Sequence, residues 1–161
     1  MQARFRRQKR RDTAPELALR RLLHRRGLRY LVDARPLPEL RRRADLVFPA
    51  ARIAVFVDGC FWHRCPEHGT EPRHNAEWWK DKLARNVTRD RETDRSLLDA
   101  GWLPLRFWEH QPSADAADVV AAAWAARRPG RCSGGQRRSQ ASSRVTVSKT
   151  APAVDGPEAL T

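Results

Sequence analysis

Cysteine and histidine side chains cluster near the middle of the 161-residue chain. Cys60, Cys65 and His68 have the spacing C-x4-C-x2-H, and His110 follows a later apolar segment. A structural zinc ion takes four nitrogen or sulfur donors in a tetrahedron, and a distant element often completes a set begun by a short loop. Two buried free thiols beside surface histidines are the alternative. The pattern predicts a structural zinc site of Cys60, Cys65, His68 and His110, with His63 or His74 able to replace one histidine.

Carboxylate and imidazole groups at further positions could act on a phosphodiester. Asp45 begins an apolar segment beside a basic loop, and Mg²⁺ at a phosphodiester usually takes one or two protein carboxylates. His63 could accept a proton from water near neutral pH. Asn86 and Asp90 are four residues apart, so on a helix they share a face and either could orient His63 or a phosphate. Alternatively, Asp45 is a turn residue and the helix face carries ordinary salt bridges.

Aromatic residues lie next to the same loop. Phe61 and Trp62 are inside it, and Trp78 and Trp79 follow it among lysines and arginines. Large rings beside cations suit base stacking or insertion between base steps. Trp79 could equally belong to the core, but adjacent rings cannot all face inward on one regular element. We therefore expect at least one member of each pair to be exposed.

The elements that position these residues can be read from periodicity and chain breakers. Thr13, Pro15 and Glu16 predict a helix start with a capping box, and Gly27 predicts its end. The segment 53–57 is apolar on both faces and is expected to be a central strand. The order of elements predicts an α/β fold, a mixed sheet flanked by helices. The further predictions are strands at 30–32, 44–48 and 102–108, and helices at 76–100 and 114–126.

Composition divides the chain into three parts. Residues 1–12 form a basic arm expected to be flexible, 13–128 the folded domain, and 129–161 a Gly-, Ser- and Arg-rich tail expected to be disordered. The net charge is +13, and 27 basic and 17 acidic residues up to position 128 place +10 of it outside the tail. This excess favours a polyanionic partner. Because 28 of the 32 cations are arginine, arginine-rich coding is the alternative explanation.

Three features of the sequence indicate the cellular compartment. They are the three cysteines, the absence of a signal-like segment near Met1 and the shortness of the apolar runs. An odd cysteine set does not suggest a disulfide framework. Apolar runs such as 53–57 are far below the roughly 18 residues of a membrane helix. We expect a cytoplasmic protein with no membrane association.

The segment Asp58-Gly59-Cys60-Phe61-Trp62-His63-Arg64-Cys65-Pro66-Glu67-His68 resembles the very short patch repair (Vsr) DNA mismatch endonucleases. The resemblance extends over about 13–128 and includes Trp79, Asn86, 89–91, 101–102 and 108–110. It implies a restriction-endonuclease-like, PD-(D/E)XK-type fold. It also implies an enzyme that nicks one strand of double-stranded DNA, 5′ to the T of a T:G mismatch left by deamination of 5-methylcytosine.

The resemblance also implies roles for individual residues. Asp45 corresponds to a magnesium-binding aspartate, and Val57 would add its backbone carbonyl where some members have threonine. His63 corresponds to the histidine that activates water, with Asp90 as its acidic partner and Glu16 as an acidic residue near the site. Asp58 stands where some members have histidine and could add a second carboxylate near the metal. The zinc positions match Cys60, Cys65, His68 and His110, and the rings that wedge into DNA match Phe61, Trp62 and Trp79.

The expected cofactors are therefore catalytic Mg²⁺ and structural Zn²⁺. We expect a monomer at the nucleoid, with mismatch-repair proteins as further candidate partners. Two other functions stay open: a non-catalytic, zinc-stabilised DNA-binding module, and a restriction-like nuclease with another target. Asp45, His63 and Asp90 favour an enzyme, because a binding module does not require them.

Overall fold

The computed structural model describes residues 11–69 and 74–127. Most of the predicted basic arm, the predicted tail and Cys132 lie outside these ranges. Within them the chain forms three α-helices, four β-strands and a short 3₁₀ turn at Pro49–Ala51. The elements are α1 (Ala14–Arg25), β1 (Leu31–Ala34), β2 (Ala44–Phe48), β3 (Ile53–Asp58), α2 (Ala76–Asp99), β4 (Leu103–Trp108) and α3 (Ser113–Arg127).

The four strands form one mixed sheet in the order β1-β2-β3-β4. β1 and β2 pair antiparallel, as do β2 and β3, whereas β3 and β4 are parallel and are joined through α2. This confirms the predicted mixed α/β architecture and the central position of β3. The parallel register places Arg106 beside Phe56 and Trp108 beside Asp58. The amphipathic helix α2 is the crossover that such a parallel pair requires.

Helices cover both faces of this sheet. On one face Leu23 of α1, Val120 of α3 and Ile53 of β3 belong to one buried cluster. On the other face Leu97 of α2 packs with Val47 of β2 and other buried residues. Side chains alternate between the faces along a strand. Consequently Asp45 shares the α2 face with Val47, two residues further along the strand.

The start of α1 differs from the predicted capping box. The side chain of Thr13 makes no cap hydrogen bond to the helix backbone, and its hydroxyl donates to Glu16 Oε1 at 2.9 Å. The other Glu16 oxygen accepts from the backbone N–H of Asp12 at 2.9 Å. The reciprocal box was therefore a wrong prediction, because the partly buried Arg20 also binds the Glu16 carboxylate, with its Nη2 3.1 Å from Oε2.

Other boundaries shift by only one or two residues. β1 begins at Leu31 and continues to Ala34 rather than occupying 30–32, because pairing with β2 extends it to Ala34 opposite Ala44. None of the helices in the described ranges is long and apolar enough to cross a membrane.

Candidate active site and metal-ligand cluster

A polar cleft of about 600 Å³ lies at the end of the sheet. It is lined from several elements: α1, the loop before β2, β2, β3, the loop after β3, α2 and β4. The candidate catalytic residues therefore converge from distant parts of the sequence. Those that line the cleft are Glu16, Asp45, Val57, His63, Asn86 and Asp90.

Asp45 is the carboxylate that β2 presents to this cleft. Its Oδ2 accepts a hydrogen bond of 2.7 Å from the backbone N–H of Val57. Burial is the main cause that raises the pKa of Asp45 to about 6, and the nearby negative charges of Glu16 and Asp58 add to it. A carboxylate in such surroundings is stabilised by a cation. The Val57 backbone thus fixes one oxygen of a group that has the chemistry of a divalent-metal ligand.

His63 is paired with Asp90 across the cleft. Its Nδ1 lies 2.6 Å from Asp90 Oδ2 and 3.7 Å from Asp58 Oδ1. Burial opposes the charged imidazole, but the hydrogen bond to Asp90 and the two carboxylate charges outweigh it and raise the pKa of His63. Burial likewise opposes charge on Asp90, yet the hydrogen bond and charge of His63 lower its pKa. The pair is a carboxylate-oriented imidazole, the arrangement in which Nδ1–H donates and Nε2 is basic.

Asn86 and Glu16 have structural partners of their own. Asn86 Nδ2 donates to the backbone carbonyl of Trp62 at 3.2 Å, and its Oδ1 accepts from Arg89. Of the two helix residues considered as partners for His63, the structure therefore places Asp90 against the imidazole and Asn86 against the loop backbone. Glu16 is 4 % exposed and pairs with Arg20 beside the cleft.

Arg106 is a cleft residue that the sequence analysis did not single out. Its Nη1 donates to both oxygens of Asp58 at 3.0 and 2.9 Å, and its Nε donates to both oxygens of Asp94 at 3.0 Å. Burial opposes its charge, but Asp58 and Asp94 raise the pKa of its guanidinium. The signal available in the sequence was a single charge within the otherwise apolar segment 103–108.

Basic side chains stand at the mouth of the cleft. The basic loop before β2 contributes Arg41, Arg42 and Arg43 to the cleft lining. All three side chains are exposed, and Arg43 Nε lies 2.8 Å from Asp33 Oδ1. Guanidinium groups at the edge of an acidic site are suited to the phosphates of a nucleic acid backbone.

The four predicted zinc ligands form a separate cluster. One donor atom each from Cys60, Cys65, His68 and His110 lies within 4.8 Å of all the others. Cys60 Sγ and Cys65 Sγ are 3.1 and 3.8 Å from His110 Nδ1, close to the ~3.3–3.8 Å edges of a tetrahedron with zinc bond lengths. Burial, and then the neighbouring Cys65, raise the pKa of the Cys60 thiol to about 11. His63 pairs with Asp90 instead. The geometry therefore favours the ligand set of Cys60, Cys65, His68 and His110.

Backbone contacts hold the loop that carries these donors. Cys65 N–H donates to the Cys60 carbonyl at 2.9 Å, and Gly69 N–H donates to the Cys65 carbonyl at 2.8 Å. Glu109, at the end of β4, accepts from the Cys60 N–H at 2.8 Å. These contacts tie the loop to the sheet and bring His110 to the two thiols.

The aromatic residues form a cluster beside the cleft. Ring centroids of Phe61, Trp62 and Trp79 are 5.1–5.9 Å apart, and Trp78 is 52 % exposed. Lys82 Nζ lies 4.6–5.7 Å from three tryptophan ring centroids. Trp62 also lines the cleft, so aromatic surface and acidic site are contiguous.

A mixed sheet whose end carries an Asp, a His–Asp pair and flanking arginines has the features of a nuclease of the α/β class. Residues 2–67 match the family model described as DNA mismatch endonuclease Vsr. Among similar proteins, a Lentzea aerocolonigenes protein named type II nicking enzyme V.NaeI is 47 % identical over 114 residues, covering 70 % of this chain and 69 % of the relative. The chain belongs to the Vsr family of DNA mismatch endonucleases.

Two further relatives agree with this assignment. The DNA mismatch endonuclease Vsr of Escherichia coli K12 is 38 % identical over 100 residues, which cover 62 % of each chain. The type II nicking enzyme V.XorIIP of Xanthomonas oryzae is 35 % identical over 102 residues, covering 61 % of this chain and 71 % of the relative. Family membership makes the chain a DNA endonuclease, a hydrolase of phosphodiester bonds, with a restriction-endonuclease-like fold.

Proposed function

We propose that this endonuclease nicks one strand of duplex DNA, 5′ to the T of a T:G mismatch, by Mg²⁺-dependent hydrolysis, and thereby starts very short patch repair. The observation that carries the proposal is the convergence of Asp45 with the His63–Asp90 pair in one cleft. The names of the relatives as mismatch endonuclease and nicking enzymes support a strand-specific cut. Cleavage would leave 3′-hydroxyl and 5′-phosphate ends.

The residues at the base of the cleft fit a magnesium ion. Asp45 offers a carboxylate whose Oδ2 accepts a hydrogen bond from Val57 N–H. Burial, and then the charges of Glu16 and Asp58, raise the pKa of Asp45, and this supports a cation as its partner. We assign Asp45 and the Val57 carbonyl as protein ligands, with water and phosphate oxygens completing a Mg²⁺ site. When bound, the ion supplies charge stabilisation at the phosphate.

His63 is proposed as the general base. Because Asp90 accepts at Nδ1, the lone pair of the neutral imidazole is at Nε2, where it can take a proton from the attacking water. Asp90 keeps the ring in this orientation and stabilises the imidazolium that forms. Asn86 holds the backbone of Trp62 in the same loop, and we propose that it positions the loop on which His63 stands.

Zinc at Cys60, Cys65, His68 and His110 is proposed to be structural, because four protein ligands leave no coordination position for water. We expect Cys60→Ser to lose zinc and about 4 kcal/mol or more of stability, since metal loss is among the largest single-residue effects. The corresponding fall in Tm is roughly 15 °C. Zinc content by atomic absorption and thermal unfolding by circular dichroism test this. Cys132→Ser is the matched control, and a folded, zinc-replete Cys60→Ser protein would exclude the assignment.

The rings of Phe61, Trp62 and Trp79 are proposed to insert into DNA beside the mismatch. Unstacking of bases costs a few kcal/mol and is easiest at an already weakened base pair. Insertion of these rings as a wedge would therefore favour mismatched DNA. Because a stacked ring contributes about 1–3 kcal/mol, Trp62→Ala should reduce the T:G over T:A affinity ratio by roughly tenfold or more. Fluorescence of 2-aminopurine next to the mismatch reports insertion. Trp62→Phe keeps a ring and should preserve the ratio, whereas an unchanged ratio in Trp62→Ala contradicts the wedge.

The remaining features of the proposal concern partners and organisation. A basic arm at 1–12 would follow phosphates, the endonuclease domain would span 13–128, and 129–161 would take no part in the chemistry. We propose that the protein acts as a monomer on DNA at the nucleoid in the cytoplasm, with mismatch-repair proteins as candidate partners. Because fold and metal site do not determine target choice, T:G specificity needs its own test.

Nicking of a T:G duplex labelled on each strand is the decisive experiment. We expect one cut, in the T strand, in Mg²⁺ but not in EDTA, and no cut in a T:A homoduplex. Binding without cleavage under both conditions would leave the non-catalytic zinc module as the better description. Cleavage of homoduplexes with the same flanking sequence would instead indicate a restriction-like nuclease. Varying the flanking bases around T:G then defines the preferred context.

A further inference from the structure

Three carboxylates meet near the proposed metal position, but arginines engage two of them. Glu16 is paired with Arg20 at 3.1 Å, and Asp58 is held by Arg106 Nη1 through both of its oxygens. Asp45 has no arginine or lysine within ion-pairing distance in the ranges 11–69 and 74–127, and its Oδ2 receives a backbone N–H. The arginines thus leave one of the three carboxylates open to a cation.

Arg106 is built into this position by the sheet. It lies opposite Phe56 in the parallel register, and its guanidinium lies 4.4 Å from the centroid of the Phe56 ring. Asp58 follows Phe56 by two residues on the same face of β3. The guanidinium plane, supported by the ring, is therefore directed along the face to Asp58.

The same guanidinium also reaches the partner of the proposed base. Arg106 Nη2 lies 3.5 Å from the backbone oxygen of Asp90 and 3.8 Å from its Oδ1. Nε is bound by Asp94, one helical turn further along α2. One side chain therefore connects β3 to two successive turns of α2. A planar fork of five N–H donors suits such multiple contacts, and an ammonium group cannot reproduce them.

We propose that Arg106 is a positioning residue that keeps Asp58 out of the metal coordination shell and holds Asp90 against His63, so that Asp45 alone among the three carboxylates serves the catalytic cation. This inference rests on the proposed function of the cleft. It corrects the expectation that Asp58 adds a second carboxylate to the metal, because both Asp58 oxygens face the Arg106 nitrogen. The Asp58 side chain is also only 12 % exposed.

Metal binding without DNA separates this role from a merely structural one. With Mn²⁺ as the probe, followed by electron paramagnetic resonance of the free ion, Asp58→Asn should bind with wild-type affinity. Arg106→Leu releases the Asp58 carboxylate and should bind Mn²⁺ about five- to tenfold more tightly, while its nicking kcat falls at least about tenfold with a smaller change in KM. The double variant Asp58→Asn/Arg106→Leu should lose the gain in affinity.

Controls distinguish failure of this inference from failure of the proposed function. Arg26→Gln removes an arginine from the exposed Arg26–Asp118 pair, outside the cleft, and should leave Mn²⁺ affinity and nicking unchanged. Reduced Mn²⁺ affinity in Asp58→Asn, or no gain in a folded Arg106→Leu protein, overturns the role of Arg106. Asp45→Asn with unchanged Mn²⁺ affinity overturns the metal site itself. If Arg106→Leu does not fold, the neutral and polar Arg106→Gln replaces it, with the same direction expected and the same gain lost in its Asp58→Asn double variant.

Discussion

Replacing Asp45 with asparagine is expected to reduce nicking of a T:G duplex by about 10³-fold or more, while duplex binding persists. The substitution removes the negatively charged ligand that we propose for the cation, so the cation binds less well. A metal ion stabilises the transition state by several kcal/mol, and this stabilisation would be lost. The amide oxygen can still accept the hydrogen bond from Val57 N–H, so the change is local. Single-turnover nicking and a gel-shift titration measure the two effects.

A stability measurement shows whether the Asp45→Asn protein is intact. In the metal-free protein the pKa of Asp45 is raised from 3.8 to about 6, so its charge disfavours the folded state as pH rises between those values. The variant should therefore be as stable as the wild type near pH 3.5 and more stable above pH 6, by at most about 3 kcal/mol. Urea unfolding at several pH values tests this. Wild-type nicking by the folded variant would remove Asp45 from the metal site.

Replacing His63 with alanine is expected to lower the nicking kcat by about 10²–10⁴-fold, the usual contribution of a general base. The cleft would keep Asp45 and its hydrogen bond from Val57, so Mn²⁺ affinity and duplex binding should change little. The reduction therefore separates proton transfer from metal binding. Nicking reactions that are quenched at successive times, at saturating DNA concentration, give kcat directly.

Asp90→Asn is the companion variant for the base. Its amide is nearly isosteric, but its oxygen accepts at Nδ1 without a full charge, so the imidazolium formed during the reaction is less stabilised. We expect the nicking kcat to fall by about ten- to 100-fold, which is a smaller reduction than in His63→Ala. Combining the two changes should cost no more than His63→Ala alone, because Asp90 acts through the imidazole. An additive loss would mean that Asp90 has a separate role, and full activity of His63→Ala would exclude the base assignment.

Much of the fold could be predicted from local patterns because its elements are marked by strong signals. The apolar run 53–57 is the central strand, and Gly101, with a φ of 76°, follows the end of the long helix. The capping box failed because its prediction counted Thr13 and Glu16 alone. Arg20, a helical turn away, competes for the Glu16 carboxylate, and such competition depends on which side chains are buried together.

For the site, the sequence by itself determined which residue types were available: a C-x4-C-x2-H loop, a histidine inside it and an acidic residue at the start of a strand. Only the tertiary structure decided their pairing. Asp90 rather than Asn86 contacts His63, and Arg106 donates hydrogen bonds to Asp58. These contacts join residues 24 to 48 positions apart, so they follow from the packing of α2 and β4 against β3. No local spacing rule describes that packing, and it is what leaves Asp45 open to a cation.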